Sequence, residues 1–376
     1  MFMSSKTITT QLVPKLRFPE FLEGWTESRL NKISDLITKG TTPTSIGFNF
    51  VLEGVNFIKV ENIENHNVNI NSTLKISLEC HNHLKRSQLK NGDIVFSIAG
   101  TIGRTGIITD KDLPANTNQA LSIIRLKKEQ NIKFVHYLLN LEKINRYSFR
   151  MLSVGAQPNL SLQQVGAIKL NIPPTKQEQQ KIADCLSSLD ELITTQSQKL
   201  KTLKDHKKGL MQNLFPANGK TSPKLRFPEF ENAGEWEVKP VSKYFNVGSS
   251  KRVLQQDWTD KGIPFYRTRE LVSLSDNETF SSEIYISERL YLELLRNYEV
   301  PTEGDFLISG VGTLGVSYQV KANDKFYFKD GNVIWFKLER GIKSDYFKYC
   351  FQSNFVQKQI FAKSSASTVG TYTIQN

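Results

Sequence analysis

The sequence predicts an α+β fold, built as two tandem similar domains separated by a long heptad (coiled-coil) helix. The first observation is an exact repeat, because the residues PKLRFPEF occupy positions 14–21 and again 223–230. The second is that later blocks recur in the same order at a nearly constant offset. They are NGDIVFSIAGTIG (91–103) with EGDFLISGVGTLG (303–315), KFVHYLLN (133–140) with DYFKYCFQ (345–352), and SVGAQPNLSLQQ (153–164) with SASTVGTYTIQN (365–376). The third is a heptad pattern between the copies. An offset this long excludes a solenoid repeat and indicates two domains of one fold.

Each copy mixes strand and helix patterns, which favours the α+β class. Alternating apolar and small residues predict a strand from Asp93 to Ala99 that ends in a glycine turn. Runs rich in β-forming residues predict strands at Leu121–Leu126 and Asn332–Leu338. Apolar residues at helical spacing predict a core-facing helix over Phe134–Ile144 and a similar helix over Tyr346–Ile360.

A different element is predicted between the copies. Two prolines end the first domain, and Thr175 with Glu178 forms a capping box that opens a helix from Lys176 to Leu214, before Pro216. Such a helix would be about 60 Å long at the standard rise per residue. The coiled-coil interface predicted from the heptad spacing comprises Ile182, Leu186, Leu189, Ile193, Gln196, Leu200, Leu203 and Leu210, with Lys207 also in the seam. A single apolar stripe has to be covered, so a second long helix is predicted as its partner.

The composition is that of a globular protein with a basic surplus. Lys and Arg number 49 against 37 Asp and Glu, a formal net charge of +12, which favours a polyanionic partner or serves solubility alone. Three scattered cysteines form no disulfide framework and indicate a reduced, cytoplasmic setting. His81 and His83 lie beside Cys80 without a ligand set at metal spacing, so this segment is predicted to be a solvated loop, and no metal or cofactor is predicted.

Taken together, these motifs resemble the specificity (S) subunit of type I restriction–modification systems, and the resemblance covers essentially the whole chain. It is carried by the two PKLRFPEF…W starts, by the GD-[IF]-[VL] blocks at 92–95 and 304–307, and by IPPTKQEQQKIADCLSSLDELI at 172–193. The divisions expected from it are an N-terminal tail (1–13), a first target-recognition domain (14–172), a conserved spacer helix (173–216), a linker (217–222) and a second target-recognition domain (223–376).

The resemblance implies a non-catalytic subunit that binds double-stranded DNA. Each domain would read one half of a bipartite site and position adenine methyltransferase (modification) and restriction subunits. The second copy ends at Asn376, aligned just before its own proline step, so the second spacer helix is expected to be absent or supplied in trans by another chain. The alternative is a truncated or silent allele that acts only as a half-assembled DNA-binding or coiled-coil adaptor protein.

Candidate DNA contacts come from polar loop positions beside predicted strands, where arginine suits guanine and amides suit adenine. In the first domain they are Lys39, Thr41, Thr42, Lys59, Asn62, Arg104 and Gln157. In the second they are Lys251, Arg252, Arg267, Arg269, Lys329, Asn332 and Thr371. The spacer helix also ends in a lysine-rich stretch (199–208), which either follows a DNA backbone or complements the helix dipole at a solvated surface.

Two other classes of function remain as competitors. A fused methyltransferase or nuclease fragment is disfavoured, because both large domains are copies of each other and leave no third domain for catalysis. A coiled-coil adaptor whose domains bind protein would behave independently of salt on a heparin column, unlike a phosphate-binding protein. No P-loop and no dinucleotide fingerprint occur in the sequence.

Overall fold

A computed structural model describes residues 13–151, 159–276, 278, 282–339 and 341–363. The chain divides into two compact units, unit one (Met1–Gln196) and unit two (Ser197–Asn376). The division falls within one long helix, so each unit includes part of it. Each unit is described by itself below.

Unit one contains two four-stranded sheets. Its strands are β1 (Thr26–Arg29), β2 (Ser34–Lys39), β3 (Phe50–Val51), β4 (Val55–Ile58), β5 (Ile63–Glu64), β6 (Asn67–Val68), β7 (Leu74–Ile76), β8 (Ile94–Ser97), β9 (Thr105–Ile107), β10 (Ala115–Thr117), β11 (Leu121–Leu126) and β12 (Lys169–Ile172). Its helices are α1 (Leu78–His83), α2 (Ile132–Leu139), α3 (Glu142–Arg150), α4 (Leu162–Gly166) and the first part of α5 (Lys176–Leu214). The sheets have the orders β2-β11-β8-β9 and β10-β4-β7-β3, while β1 pairs with β12 and β5 with β6.

Unit two repeats both sheets. Its strands are β13 (Phe245–Gly248), β14 (Trp258–Thr259), β15 (Ile263–Tyr266), β16 (Tyr285–Ile286), β17 (Phe306–Ser309), β18 (Ser317–Gln319), β19 (Tyr327–Phe328) and β20 (Val333–Leu338). Its further helices are α6 (Thr268–Ser275), α7 (Glu288–Asn297), α8 (Ser344–Phe351) and α9 (Asn354–Lys363). The sheet orders β13-β20-β17-β18 and β14-β16-β15-β19 match those of unit one strand for strand. The predicted α+β duplication is therefore confirmed.

The repeated glycine turn after β8 and β17 has a structural explanation in both units. Ser97 Oγ donates to the carbonyl oxygen of Thr101 at 2.6 Å and accepts from the backbone N–H of Arg104 at 2.8 Å. Ser309 makes the equivalent pair of bonds in unit two. One buried serine hydroxyl closes each turn. The repeated glycine-turn sequence is therefore explained by the backbone conformation that it has to adopt.

The two predicted core helices are each broken in two, so the prediction of continuous helices was wrong. Asn140 ends α2, where its side chain donates to the carbonyl oxygen of His136 at 2.8 Å and accepts from Thr105 Oγ1 at 2.7 Å. Leu141 then takes an extended conformation before α3. The same break separates α8 from α9, where Ser353 Oγ accepts from the N–H of Val356 at 3.4 Å. A polar cap competes locally with the helix in each case.

Two smaller predictions also need correction. The strand expected over Asp93–Ala99 is limited to Ile94–Ser97, because the turn begins earlier. The segment with His81 and His83 is the helix α1 rather than a loop. Ser77 caps it by accepting from the N–H of Cys80 at 3.1 Å, and Cys80 is fully buried.

Helix α5 runs from Lys176 to Leu214 as predicted, over 39 residues. Only half of the predicted capping box forms: Thr175 Oγ1 accepts from the N–H of Glu178 at 3.3 Å, while the Glu178 carboxylate binds elsewhere. The apolar residues of the predicted seam that remain at least one-third exposed within this chain are Leu186, Leu189, Ile193, Leu200, Leu203 and Leu210. An apolar stripe of this extent has no cover among the described residues, which agrees with the expected need for a partner helix.

The Glu178 carboxylate instead joins the N-terminal repeat motif to the first turn of α5. Arg17 donates from Nε to Oε1 at 2.7 Å and from Nη2 to Oε2 at 2.8 Å, and Trp25 Nε1 donates to Oε1 at 2.9 Å. The glutamate side chain is 1% exposed and the arginine side chain 11%. Although burial raises the pKa of Glu178, the hydrogen bonds from Arg17 and Trp25 lower it below its ordinary value.

Candidate nucleic-acid interface

The predicted contact residues of unit one gather where two parallel strands end. Strands β4 and β10 run parallel with Ile58 beside Thr117, and Thr117 Oγ1 donates to the carbonyl oxygen of Ile58 at 2.8 Å. Lys59 and Asn118 directly follow these strands. Because parallel strands end at the same edge of a sheet, the two residues leave the sheet side by side.

The end of β2 lies against this same edge. Gly40 donates from its N–H to the carbonyl oxygen of Asn118, and Thr41 donates to that of Thr117, both at 3.1 Å. A Cβ atom on Gly40 would lie 1.9 Å from the Thr117 oxygen, so only glycine permits this approach. The predicted residues that this arrangement collects, together called the unit-one edge, are Lys39, Thr41, Thr42 and Lys59.

Two residues that sequence reasoning missed also contact the unit-one edge. Arg86 Nη2 donates to Thr41 Oγ1 at 3.3 Å, and Thr42 Oγ1 donates to Gln119 Oε1. Arg86 lies in the basic stretch LKRSQLK (84–90), and this cluster of charge was the available signal. An exposed arginine and a glutamine at one edge are side chains suited to base or phosphate contact.

The remaining predicted residues of unit one differ in accessibility. Asn62 is 2% exposed, and its Oδ1 accepts from the N–H of Lys59 at 2.9 Å, so its amide is committed to the local turn. Lys59 Nζ lies 2.9 Å from Glu61 Oε1, and its hydrogen bond lowers the pKa of that carboxyl. Arg104 is exposed, with Nη1 donating at 3.2 Å to the carbonyl oxygen of Ile63. Gln157 lies outside the described residues.

Unit two builds an equivalent edge from different side chains. Strands β15 and β19 run parallel with Tyr266 beside Phe328, so Arg267 and Lys329 follow them at one edge. The loop after β13 lies against it, since Ser250 Oγ donates to the carbonyl oxygen of Phe328 at 2.8 Å. The predicted residues collected here, together called the unit-two edge, are Lys251, Arg252, Arg267 and Lys329.

Carboxylates and an aromatic ring hold three cations of the unit-two edge, Lys251, Arg252 and Arg267. Arg252 Nε lies 2.8 Å from Asp330 Oδ2, and the Lys251 ammonium lies 4.9 Å from the centre of the Tyr298 ring. Arg267 and Arg269 share two carboxylates. The first donates to Glu270 Oε1 at 2.6 Å, and the second to Glu283 Oε2 at 2.6 Å. These contacts orient the guanidinium groups, and a phosphate could exchange with the exposed carboxylate of Glu283.

Two predicted residues of unit two and the lysine-rich helix end complete the set. Asn332 accepts through its carbonyl oxygen from the N–H of Gly310 at 2.9 Å and sits half-buried beside the edge. Thr371 lies outside the described residues. In α5 the exposed lysines at the C-terminal end are Lys199, Lys201, Lys204, Lys207 and Lys208. Among them, Lys207 Nζ lies 5.2 Å from the ring centre of Tyr349, which fixes one of these charges.

Among the described residues, no group of three or more potential ligands is arranged to hold a metal ion. Within the same part of the chain, no helix has the length and apolarity that a membrane span requires. Each unit therefore has one sheet edge that carries polar and cationic side chains, and both edges are formed by the same strand topology.

Comparison with known proteins relates the first half of this chain to a known family. Residues 22–205 match the family model of the type I restriction modification DNA specificity domain. A Methanocaldococcus jannaschii protein named for the MjaX type I restriction enzyme specificity subunit is 26% identical over 263 residues, which cover 67% of this chain and 60% of that protein. The EcoBI specificity subunit of Escherichia coli is 26% identical over 163 residues, 42% of this chain and 33% of its own. This chain therefore aligns with less than two thirds of either relative's length.

Solved structures show the same fold over nearly the whole chain. The S subunit of a type I restriction–modification system from M. genitalium aligns with 97% of this chain and 89% of its own, with a TM-score of 0.58 and 16% identity. A chain from a structure of type I restriction–modification complex assembly aligns with 96% and 85%, with a TM-score of 0.50 and 14% identity. Two tandem α+β units joined by a long helix therefore define the S-subunit class of fold. Residues 22–205 belong to the DNA specificity domain family of type I restriction–modification systems, and the resemblance predicted from the sequence is confirmed.

Proposed function

We propose that the chain is the DNA-specificity subunit of a type I restriction–modification complex, with each unit reading one half of a bipartite site. The observation that carries the proposal is the pair of edges. The same strand ends are reached by the same topology in both units, yet they present different polar side chains. A shared scaffold with unlike contact residues is what two half-sites of different sequence require.

In this proposal the subunit is non-catalytic and targets partners that perform the chemistry. Adenine methyltransferase subunits and restriction subunits would be positioned on the DNA that the two units select. The exposed seam of α5 supports a further partner, a second spacer helix supplied in trans. The predicted domains at residues 14–172 and 223–376 would then bind DNA, and the predicted spacer helix at 173–216 would bind the partner subunits.

The first test is co-expression with a methyltransferase subunit of this class, followed by mapping of methylated adenines by single-molecule sequencing. The expected result is a new split motif, two short half-sites with a fixed gap. Charge reversal of Arg267 in the unit-two edge together with its neighbour Arg269, as Arg267→Glu with Arg269→Glu, should alter or abolish one half-site only. An unsplit motif, or one unchanged by that variant, would contradict the assignment of one half-site to each unit.

A binding test separates the edges from general surface charge. Lys59→Ala removes an ion-paired lysine from the unit-one edge, and Lys169→Ala removes one that pairs with Glu27 between β12 and β1. We expect Lys59→Ala to weaken binding to the cognate duplex by about three- to tenfold. The slope of log affinity against log salt concentration should become shallower by about 1, which corresponds to one lost phosphate contact. The second variant should leave both unchanged. Equal losses in the two variants would indicate binding through net charge alone.

A further inference from the structure

The four residues that follow strands β4 and β15 form the same local turn in both units. Because these strands hold equivalent places in their sheets, residues 59–62 of unit one correspond to residues 267–270 of unit two. The fourth residue caps each turn: Asn62 Oδ1 accepts from the N–H of Lys59, and Glu270 Oε2 from that of Arg267, both at 2.9 Å. Asn62 is 2% exposed and Glu270 is 3% exposed. A neutral amide therefore closes the turn in unit one, and a carboxylate closes it in unit two.

The third residue of the turn is equally exposed in both units but has the opposite charge. The side chain of Glu61 is 66% exposed, and that of its equivalent Arg269 is 63% exposed. Glu61 forms an ion pair with Lys59. Arg269 instead donates to Glu270 Oε1, from Nε at 3.2 Å and from Nη2 at 3.1 Å. The same place on the scaffold thus presents a hydrogen-bond acceptor in unit one and a donor in unit two.

The contacts of Arg269 leave one edge of its guanidinium group accessible. Arginine has two edges with paired donors, Nε with Nη2 and Nη1 with Nη2. Glu270 holds the first edge from a buried position. On the second edge, Nη2 donates to Glu283 Oε2 at 2.6 Å, and Nη1 donates to no acceptor in the part of the chain that the structure describes. Since the Glu283 side chain is 63% exposed, a ligand can reach this edge by displacing a solvated carboxylate.

The charges of the cluster around Arg269 cancel. Arg267 and Arg269 are paired with Glu270 and Glu283, which gives two positive and two negative groups. Burial raises the pKa of Glu270, but hydrogen bonds from Arg267 lower it below its ordinary value, and a hydrogen bond from Arg269 lowers the pKa of Glu283. A cluster without net charge attracts phosphate weakly, whereas its donor geometry is retained. It is therefore better suited to a neutral group with two acceptors in one plane.

We propose that Arg269 recognises a guanine base in the half-site of unit two, and that Glu270 is a positioning residue that orients its guanidinium for this contact. Guanine presents O6 and N7 as two coplanar acceptors in the major groove, and the paired donors of arginine match them. A guanidinium that is already held in place loses less freedom on binding. The inference rests on the proposed function and deepens it by naming a base and the residue that reads it.

The test measures binding of the full chain, in complex with a methyltransferase subunit of this class, to duplexes that carry the mapped split motif. One guanine at a time is replaced by 7-deazaguanine, which lacks the N7 acceptor and still pairs with cytosine. At one guanine of one half-site, this replacement should weaken binding of the wild-type chain by about fivefold or more. Inosine at that position retains O6 and N7, so it should be bound like guanine.

The variant Arg269→Ala connects this base to the side chain. It should weaken binding to the unmodified duplex about tenfold and abolish the difference between guanine and 7-deazaguanine, because both changes remove the same contact. Methylation mapping should show that this base position alone is relaxed. Arg289→Ala is the matched control. Arg289 is an exposed arginine of α7, which follows β16 at the opposite end of β15, and its variant should keep the wild-type discrimination.

The variant Glu270→Gln tests the positioning residue. It keeps the size of the side chain and an acceptor for the N–H of Arg267, but it removes the charge that holds both guanidinium groups. Discrimination at the same guanine should fall several-fold, with the other half-site unchanged. Weaker binding with an unchanged base preference would show that Glu270 serves folding alone and would overturn its positioning role.

Two results would overturn the reading of guanine by Arg269. One is a split motif in which 7-deazaguanine has no effect at any guanine in the wild-type chain. The other is an Arg269→Ala variant that loses affinity equally for all duplexes and has a salt slope shallower by about 1, which is the behaviour of a phosphate contact. In both cases the split motif itself would still support the proposed function, whereas the absence of any split motif would contradict both.

Discussion

The two units share their sheet orders but fill their cores with different side chains. The largest core cluster of unit one is aliphatic apart from Phe96 and Phe134, whereas five of the eight buried members in the corresponding cluster of unit two are phenylalanines. Ile94 and Phe306 occupy equivalent positions, each paired with the same neighbouring strand in the same register. Strand pairing and turn chemistry therefore define this fold, while the core tolerates exchange of aliphatic for aromatic packing.

Substitution of Ile94 or Phe306 by alanine should produce the largest losses of stability. The two variants compare aliphatic packing in unit one with aromatic packing in unit two. Phe306→Ala should lower the free energy of unfolding by about 4 kcal/mol, and Ile94→Ala by about 3 kcal/mol. The excess arises because the Phe306 ring buries more apolar area than the isoleucine side chain and also contacts Phe245 and Phe347 at centre distances of 5.9 and 5.1 Å. Urea unfolding of both variants measures the difference. Equal losses would contradict this expectation, because truncation of the phenylalanine also removes more buried apolar area.

The repeated motif offers the next comparison. Glu178→Ala leaves the nearly buried Arg17 and the Trp25 indole without their acceptor, so we expect a loss of about 3 kcal/mol in unfolding free energy. Arg226→Ala removes only bonds to exposed carbonyls in unit two and should cost less than about 1 kcal/mol. Because the pKa of Glu178 is lowered, its contribution should persist above pH 4.5 and disappear as the pH falls below that value.

Glu20→Ala provides the control for these two variants. The Glu20 carboxylate forms an exposed ion pair with Lys181, which lies three residues after Glu178 in α5. The loss in unfolding free energy should be far smaller than that of Glu178→Ala, because solvent screens an exposed ion pair. If Arg226→Ala destabilised the chain as much as Glu178→Ala does, the arginine of the motif would contribute as much in unit two as the buried ion pair does in unit one.

The internal repeat, the bounds of α5 and the class of fold were predictable because periodicity and exact repetition are local signals. The helix breaks at Asn140 and Ser353 were not, since a side-chain cap overrode an uninterrupted apolar pattern. At the candidate site, Lys39 and Lys59 lie at one sheet edge and Lys251, Arg252, Arg267 and Lys329 at the other, while their contact with DNA remains a prediction. Sequence alone could not show that the Asn62 amide is buried or that Arg86 reaches Thr41, because both depend on contacts between distant segments.

His136 of unit one has a buried imidazole, whereas the equivalent residue of unit two is Lys348. Burial, and to a smaller extent the nearby His66, lowers the pKa of His136 from 6.5 to about 4, while Asp190 opposes that shift and Thr105 Oγ1 lies 3.0 Å from its Nε2. The unfolded chain therefore binds the proton first, and stability should fall as the pH drops from 6.5 towards 4. The expected loss between pH 7 and pH 5 is about 2 kcal/mol.

Urea unfolding at pH 7 and pH 5 checks this expectation in wild type and in His136→Gln, which should lose that part of the pH dependence. The equivalent residue in unit two, Lys348, gives the control, because Lys348→Gln should retain the wild-type slope. An unchanged slope in His136→Gln would mean that other groups titrate in this window.

The smallest expected effect concerns the aspartate of the repeated Gly-Asp turn, which is conserved between the units while its partner changes. Asp93 receives two hydrogen bonds from Arg125, at 2.8 and 2.7 Å, whereas Asp305 receives one from Trp335 Nε1 at 2.9 Å. Both aspartates also accept a backbone N–H from three residues earlier, which maintains the turn itself. The partner therefore adds to a turn that is already formed.

Arg125→Met should lower the unfolding free energy by about 1.5 kcal/mol, and Trp335→Phe by about 1 kcal/mol, because each leaves a buried carboxylate with its turn bonds intact. Thermal unfolding of both variants beside Lys337→Met, which changes the unit-two equivalent of Arg125, gives the comparison. The Lys337 ammonium lies over the Trp335 ring at 4.4 Å and pairs with Glu299, so its removal should cost less than about 0.5 kcal/mol. A larger loss from Lys337→Met than from Trp335→Phe would contradict this assignment. It would show that Asp305 is stabilised mainly by the Lys337 charge at long range and not by the Trp335 N–H.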